Sequence, residues 1–170
     1  MMPGYDVMIE IRKDLFIGNE YDALDVLNNP EWAIIHACKD PYHRRMLGYK
    51  TPGAPKDHPE YLFGVRNNRL ILNLVDSDDP GYIQKPIIDE SIKFINSKLS
   101  EGYKVLVHCN QGKSRSAGIG MLYLASIGMF KGLNFQEAER KYVSIYPPCS
   151  MSLGMRGYIM RNWADNALCE

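Results

Sequence analysis

The chain has 170 residues, 45% of them hydrophobic and 24% charged, with 20 basic and 20 acidic residues in exact balance. That length supports one domain with a core of its own, residues 1–170, and needs no disulfide framework. A charge balance of zero disfavours an obligate nucleic-acid partner, and a composition this ordinary excludes a disordered or fibrous chain.

The first ten residues carry acids early and lack an apolar stretch, the pattern of a chain without a secretory leader. Val7 to Ile17 reads as two short strands around Arg12-Lys13-Asp14, closed by Gly18-Asn19. Glu20 to Leu27 reads as a short helix ended by Asn28-Asn29-Pro30, and Trp32 to His36 as a buried strand. Lys39 to Pro59 is rich in proline and reads as one long irregular segment, a functional or variable surface. Its cluster Lys39, His43, Arg44 and Arg45 is either an anion-receiving patch or a solvated surface. Tyr61 to Arg66 and Arg69 to Val75 form a hairpin turning at Asn67-Asn68.

The spacing predicts a helix over Pro86 to Leu99, with Ile88, Ile92, Ile95 and Leu99 on its buried side and Gly102 as its stop. Tyr103 to His108 is a fully buried strand. Helices follow at Ser116 to Met129, Asn134 to Tyr146 and Leu153 to Asn166. The longest apolar run, Ala117 to Phe130, is too short to span a bilayer. Strands in the first half and helices in the second, joined by one crossover, predict an α/β domain with a central sheet flanked by helices. The four cysteines, Cys38, Cys109, Cys149 and Cys169, are scattered and lack metal-ligand spacing, which predicts a reducing, cytoplasmic setting and no metal or other cofactor. Oligomeric state is not legible.

Chemistry concentrates in His108-Cys109-Asn110-Gln111-Gly112-Lys113-Ser114-Arg115-Ser116, where a cysteine and an arginine stand six positions apart. An apolar strand precedes this stretch and a helix follows it. The same spacing recurs at Cys38 and Arg44, but that copy has no glycine, a proline that removes an amide donor, and an aspartate that repels anions. Around Cys109 every loop N–H is available. Gly112 permits a positive φ, and the following helix offers its positive end. A thiol in such surroundings ionises more readily than a free one. The reading is hydrolysis of a phosphate monoester through a phosphocysteine, with Cys109 as nucleophile. Arg115 supplies a planar fork for two phosphate oxygens. Asn110, Gln111, Gly112, Lys113 and Ser114 form the oxyanion cup.

Ser116 either bonds the sulfur and eases its departure or caps the helix, and the two roles are compatible. Ser114 caps the helix or holds the loop. Lys113 either adds charge at the rim or is merely solvated. His108 orients the loop through hydrogen bonds. The leaving group needs an acid, and Asp76, emerging straight from a strand, is the first choice in the cluster Asp76-Ser77-Asp78-Asp79. Asp79 is second and Asp78 third. Cys38 ends a strand that can lie beside the Cys109 loop, which allows a reversible, protective Cys38–Cys109 disulfide.

At these residues the chain resembles the dual-specificity branch of the cysteine-based protein phosphatases. The carriers are Val105-Leu106-Val107-His108-Cys109, Gly112, Ser114-Arg115-Ser116 and the acid loop that opens at Asp76. Asp14 to Asn19 resembles that branch's opening strand and turn, and Phe135 to Pro147 its penultimate helix. The resemblance implies a mixed central sheet with helices on both sides. It also implies a metal-free two-step hydrolysis, with Cys109 as nucleophile, Asp76 as acid and then base, and Arg115 with the loop amides as phosphate clamp. The substrate implied is a phosphoprotein, phosphorylated on tyrosine and also on serine or threonine. A phosphoinositide or other small phosphate ester is the alternative, and a phosphate-binding adaptor without turnover is a third reading. The chain departs from the branch in the length of Lys39–Pro59. It departs again after Pro148, where Cys149-Ser150-Met151-Ser152 replaces the branch's Pro-Asn pair.

Overall fold

A computed structural model describes residues 7–163. Its six strands lie in the order β1-β2-β6-β3-β5-β4. They are β1 (Ile9–Arg12), β2 (Leu15–Gly18), β3 (Trp32–His36), β4 (Phe63–Arg66), β5 (Arg69–Leu72) and β6 (Lys104–His108). The four inner strands β2, β6, β3 and β5 run parallel, and the antiparallel edges β1 and β4 are hairpin partners of β2 and β5. The sheet is therefore mixed, as expected. The hairpin turn at Asn67-Asn68 is made by Asn67 at φ 57°, a conformation asparagine tolerates better than most residues.

Alternation along the parallel strands sends neighbouring residues to opposite faces. Ile35, Leu70, Val105 and Val107 enter the larger core, beneath the long helix α3 (Lys85–Ser100) and the helices α4 (Arg115–Ser126), α5 (Phe135–Ile145) and α6 (Leu153–Arg161). Ile34 and Leu106 face the other way, onto Ala23 and Val26 of the short helix α1 (Glu20–Val26). Seven residues make a marginal helix. Here Asn19 and Asp22 form a reciprocal capping box, a device worth about 1 kcal/mol.

The buried side of α3 is Ile87, Ile88, Ser91, Phe94 and Ile95, so Ile92 and Leu99 flank the buried stripe rather than centre it. The α4 helix is buried from Arg115 to Ala125 and stops at Ser126, short of the expected Met129, because the chain turns at Gly128 with φ 85°. Expected residues 164–166 of the last helix, and Cys169, lie outside the described residues. No helix among the described residues is long and apolar enough to cross a membrane.

The segment expected to be irregular is in part helical. A π-helical turn at Lys39–His43 leads into one turn of α-helix, α2 (Arg44–Leu47), ended by Gly48 at φ 77°. The rest folds back onto this turn. His43 is buried and bridges the Tyr49 hydroxyl and the Glu60 carbonyl. Arg44 pairs with Asp40 at 2.5 Å, reaches the Thr51 carbonyl at 2.6 Å and lies over the Tyr49 ring. Lys39 bonds the Pro52 carbonyl. Three of the four residues in the supposed anion-receiving patch, Lys39, His43 and Arg44, thus hold the segment's own shape.

Candidate active site

Parallel pairing aligns the C-terminal ends of β2, β6 and β3, with Gly18, His108 and His36 in register. Segments leaving these ends converge above the sheet, where loops of α/β folds build sites. The stretch 109–114 is a loop between β6 and α4. Gly112 sits at φ 74°, and a side chain there would come within 2.9 Å of the Gly18 carbonyl, so glycine is required twice over.

The loop's carbonyls are tied down from outside. Cys109 O accepts from the His108 ring at 3.1 Å, and Asn110 O from the amide of Glu20 at 3.2 Å. Gly112 O accepts from the Tyr146 hydroxyl at 2.5 Å, and Lys113 O from the amide of Ser150 at 2.8 Å. Among the described residues, the amides of Asn110, Gln111, Gly112, Lys113 and Ser114 have no protein acceptor. A loop with its acceptors fixed outward and its donors uncommitted is an anion nest, and it lies against the N-terminus of α4.

Arg115, the first residue of α4, is buried. Its Nη1 donates to the Leu74 carbonyl at 3.1 Å and its Nη2 to the Asn110 side-chain oxygen at 2.7 Å. Its Nε is buried without an acceptor. A buried charged donor left unpaired is costly, and a phosphate oxygen satisfies it. Asn110 also donates through Nδ2 to the Asp40 carbonyl at 3.2 Å. Its side chain braces the arginine, so its contribution to an anion is the main-chain amide.

Cys109 Sγ lies 3.2 Å from the Ser116 hydroxyl, which is also 3.3 Å from the Gly18 carbonyl. Ser116 has one proton to give. Beside a thiol it donates to Gly18, and beside a thiolate it can turn to the sulfur. Ser116 is the second residue of α4, so the capping alternative is not realised. Ser114 occupies the N-cap position but makes no cap bond. Its hydroxyl instead donates to Ser152 Oγ at 3.1 Å and accepts from the Ser152 amide at 2.9 Å. The loop-holding role is therefore the one Ser114 performs.

Cys109 and Arg115 lie in a cleft of about 550 Å³ lined also by Asp76, Asn110, Gln111, Lys113, Ser114, Ser150, Met151 and Ser152. Every residue expected at the site except the buried Gly112 and Ser116 lines it. Lys113 and Gln111 are exposed at the rim. Asp76 reaches this cleft, whereas Asp79 accepts from the Gly81 amide at 2.8 Å and caps a 3-10 turn at Pro80–Tyr82. The acid loop is pinned to α6. The Gly154 amide donates to the Ser77 carbonyl at 3.0 Å, and a side chain at Gly154 would lie 2.0 Å from that oxygen.

The residues that sequence reasoning missed are the outer supports: Glu20, Tyr146, Ser150 and Ser152, with His36 and Arg69 beneath His108. Serines 150 and 152 stand where the departure from the resembled branch was noted, and that was the available signal. Cys38 does lie beside the site, since the Ala37 amide donates to the His108 carbonyl at 2.8 Å. Both Cys38 and Cys109 are free thiols here. Burial pushes the Cys38 thiol up to about 12, which makes it a poor nucleophile near neutral pH.

The family model for the dual specificity phosphatase catalytic domain matches residues 60–139, which include the acid loop and the Cys109 loop. The dual specificity protein phosphatase PHS1 of Arabidopsis thaliana is 26% identical over 136 residues, covering 80% of this chain but 13% of that protein. This chain thus spans a small fraction of its curated relative. DUSP15 superposes with a TM-score of 0.63 at 23% identity, over 94% of this chain and 89% of that one. A human tyrosine phosphatase-like serine/threonine/tyrosine-interacting protein gives 0.63 at 22% identity, over 93% and 96%. The architecture read from the sequence is borne out as the cysteine-phosphatase fold.

Proposed function

We propose that this chain, a cysteine-based phosphatase domain of the dual-specificity family, hydrolyses phosphate monoesters on phosphotyrosine, and on phosphoserine or phosphothreonine, through a phosphocysteine. The observation that carries the reading is the Cys109 sulfur held 3.2 Å from the Ser116 hydroxyl in a cleft that also offers the unpaired Arg115 Nε.

In the first step the Cys109 thiolate attacks phosphorus. An S–P bond forms, the P–O bond to the leaving group breaks, and Asp76 gives that oxygen its proton. Arg115 and the loop amides hold the three remaining oxygens, and their hold strengthens as charge spreads in the transition state. In the second step a water attacks phosphorus while the Asp76 carboxylate takes its proton. The P–S bond breaks, the departing thiolate accepts the Ser116 hydroxyl proton as a hydrogen bond, and inorganic phosphate leaves.

Lys113 is the one other cation in the cleft lining among the described residues. A single rim lysine suits a monoester with modest neighbouring charge better than a polyphosphorylated headgroup. The adaptor reading gives no use to a sulfur paired with a hydroxyl. A reducing, cytoplasmic setting is part of this proposal and rests on the scattered cysteines of the sequence alone. The test is a parallel panel of phosphopeptides, phosphoinositides and nucleotides without added metal. Phosphopeptides should give the highest kcat/KM, and Cys109→Ser should abolish turnover of every substrate. A phosphoinositide turned over faster than every peptide would move the assignment to lipid, and turnover surviving Cys109→Ser would end it.

A further inference from the structure

Three adjacent strands each contribute one side chain to a buried line of hydrogen bonds that ends on the active-site loop. Arg69 of β5 donates from Nε to His36 Nε2 at 2.8 Å. The His36 Nδ1 of β3 is 2.6 Å from His108 Nε2 of β6. The His108 Nδ1 is 3.1 Å from the Cys109 carbonyl. Both histidines are fully buried, and the Tyr42 ring stacks on His36 at 4.0 Å and 16°.

The direction of every bond follows from its two ends. A guanidinium only donates, so His36 Nε2 is an acceptor and the proton of the neutral ring is on Nδ1. That proton makes His108 Nε2 the next acceptor, and the second ring must also carry its proton on Nδ1. A carbonyl only accepts, and the line closes without conflict. Burial lowers the basicity of both histidines, His108 down to about 4, which keeps the rings neutral.

We infer that Arg69 and His36 are positioning residues for the phosphatase reaction: they set the tautomer of His108, and so the orientation of the Cys109–Asn110 peptide at the entrance to the anion nest. The peptide is planar, so holding the Cys109 carbonyl on His108 fixes the Asn110 N–H on the opposite edge. With His108 in the other tautomer, a ring lone pair would face the carbonyl oxygen and the peptide would turn. The inference extends the reading of the nest given above and assigns Arg69 and His36 a part in it.

Nitrogen NMR of the histidine rings in the full chain, joined to steady-state kinetics, tests this. The wild type should show the Nδ1–H tautomer at both His36 and His108. Arg69→Met should move His108 toward Nε2–H and lower kcat about 10- to 100-fold, the size of loss known when the hydrogen-bond partner that orients a metal-bound histidine is removed. His36→Leu should do the same, whereas His36→Asn, whose amide can donate to His108 and accept from Arg69, should keep most of the activity. An Nε2–H ring at either histidine of the wild type would overturn the inference. So would Arg69→Met with unchanged kcat and tautomer, or His36→Asn as impaired as His36→Leu. If a variant does not fold, the wild-type ring spectrum alone decides. That spectrum also decides if the wild type hydrolyses nothing, a result that would refute the phosphatase reading instead.

Discussion

The chain contains the cysteine–arginine spacing twice, and the two copies have opposite fates. At Cys109 the loop amides are uncommitted, the arginine is buried with Nε unpaired, and a serine hydroxyl meets the sulfur. At Cys38 the amides that bracket the copy are committed within the fold. The Lys39 amide bonds the Leu74 carbonyl at 2.9 Å, and the Arg44 amide closes the π-helical turn. Proline 41 has no amide to give, and the Arg44 guanidinium turns outward to Asp40. Spacing alone does not make an oxyanion site. What makes one is a set of external donors that hold the loop carbonyls away, leaving the N–H groups for a ligand.

Matched substitutions in the two copies should break the symmetry most clearly. Arg115→Lys removes the planar fork and the free Nε, and should lower kcat/KM about 10³-fold. Arg44→Lys should leave kcat/KM nearly unchanged, because Arg44 serves the local fold of its own loop. Equal losses at both positions, measured on an aryl phosphate, would refute the distinction.

The acid loop allows a similar contrast on a smaller scale. Asp76→Asn should lower kcat about 10²-fold or more, with the larger deficit on poor leaving groups. Asp79→Asn should change kcat little and act through the turn it caps, at about 1 kcal/mol or less of stability. A leaving-group dependence that follows Asp79 instead of Asp76 would reverse the assignment.

A separate test, of stability rather than turnover, concerns pH. His108 is depressed to about 4 by burial, and His36 is depressed further. In the unfolded chain both titrate near 6.5. Below that pH the unfolded state binds more protons, so stability is complete above about 6.5 and falls as pH drops toward 4. Each histidine adds a slope of at most about 1.4 kcal/mol per pH unit. Denaturant unfolding between pH 7 and 4.5 should show this loss, and His36→Asn should flatten it. A wild type whose stability does not change across that range would contradict the buried, neutral pair.

How much of this was legible in the sequence follows from what is local. The nucleophile, the arginine and the glycine between them are contiguous, and Asp76 closes the apolar stretch that begins with β5, although that strand ends at Leu72 and not at the expected Val75, so the chemistry could be read off. The strands and most helices announced themselves through apolar periodicity. The supports could not be read, because they depend on strand order. Only when β3 lies between β6 and β5 does His36 fall beside His108 and within reach of Arg69. Two strands that both end in histidine were the visible hint. Within Lys39–Pro59 only the turns over 39–47 escaped the sequence reading, because the segment's order comes largely from side chains bonding its own carbonyls, a pattern without periodicity.

The central claim is that phosphate passes through the sulfur of Cys109. Acid-quenched, single-turnover reaction of the wild type with a labelled aryl phosphate, followed by peptide mapping, tests it directly. The account predicts label on the peptide that carries Cys109, formed at a rate no slower than kcat and absent in Cys109→Ser. Label on a histidine or on Cys38, or turnover that never passes through a labelled protein, would contradict it.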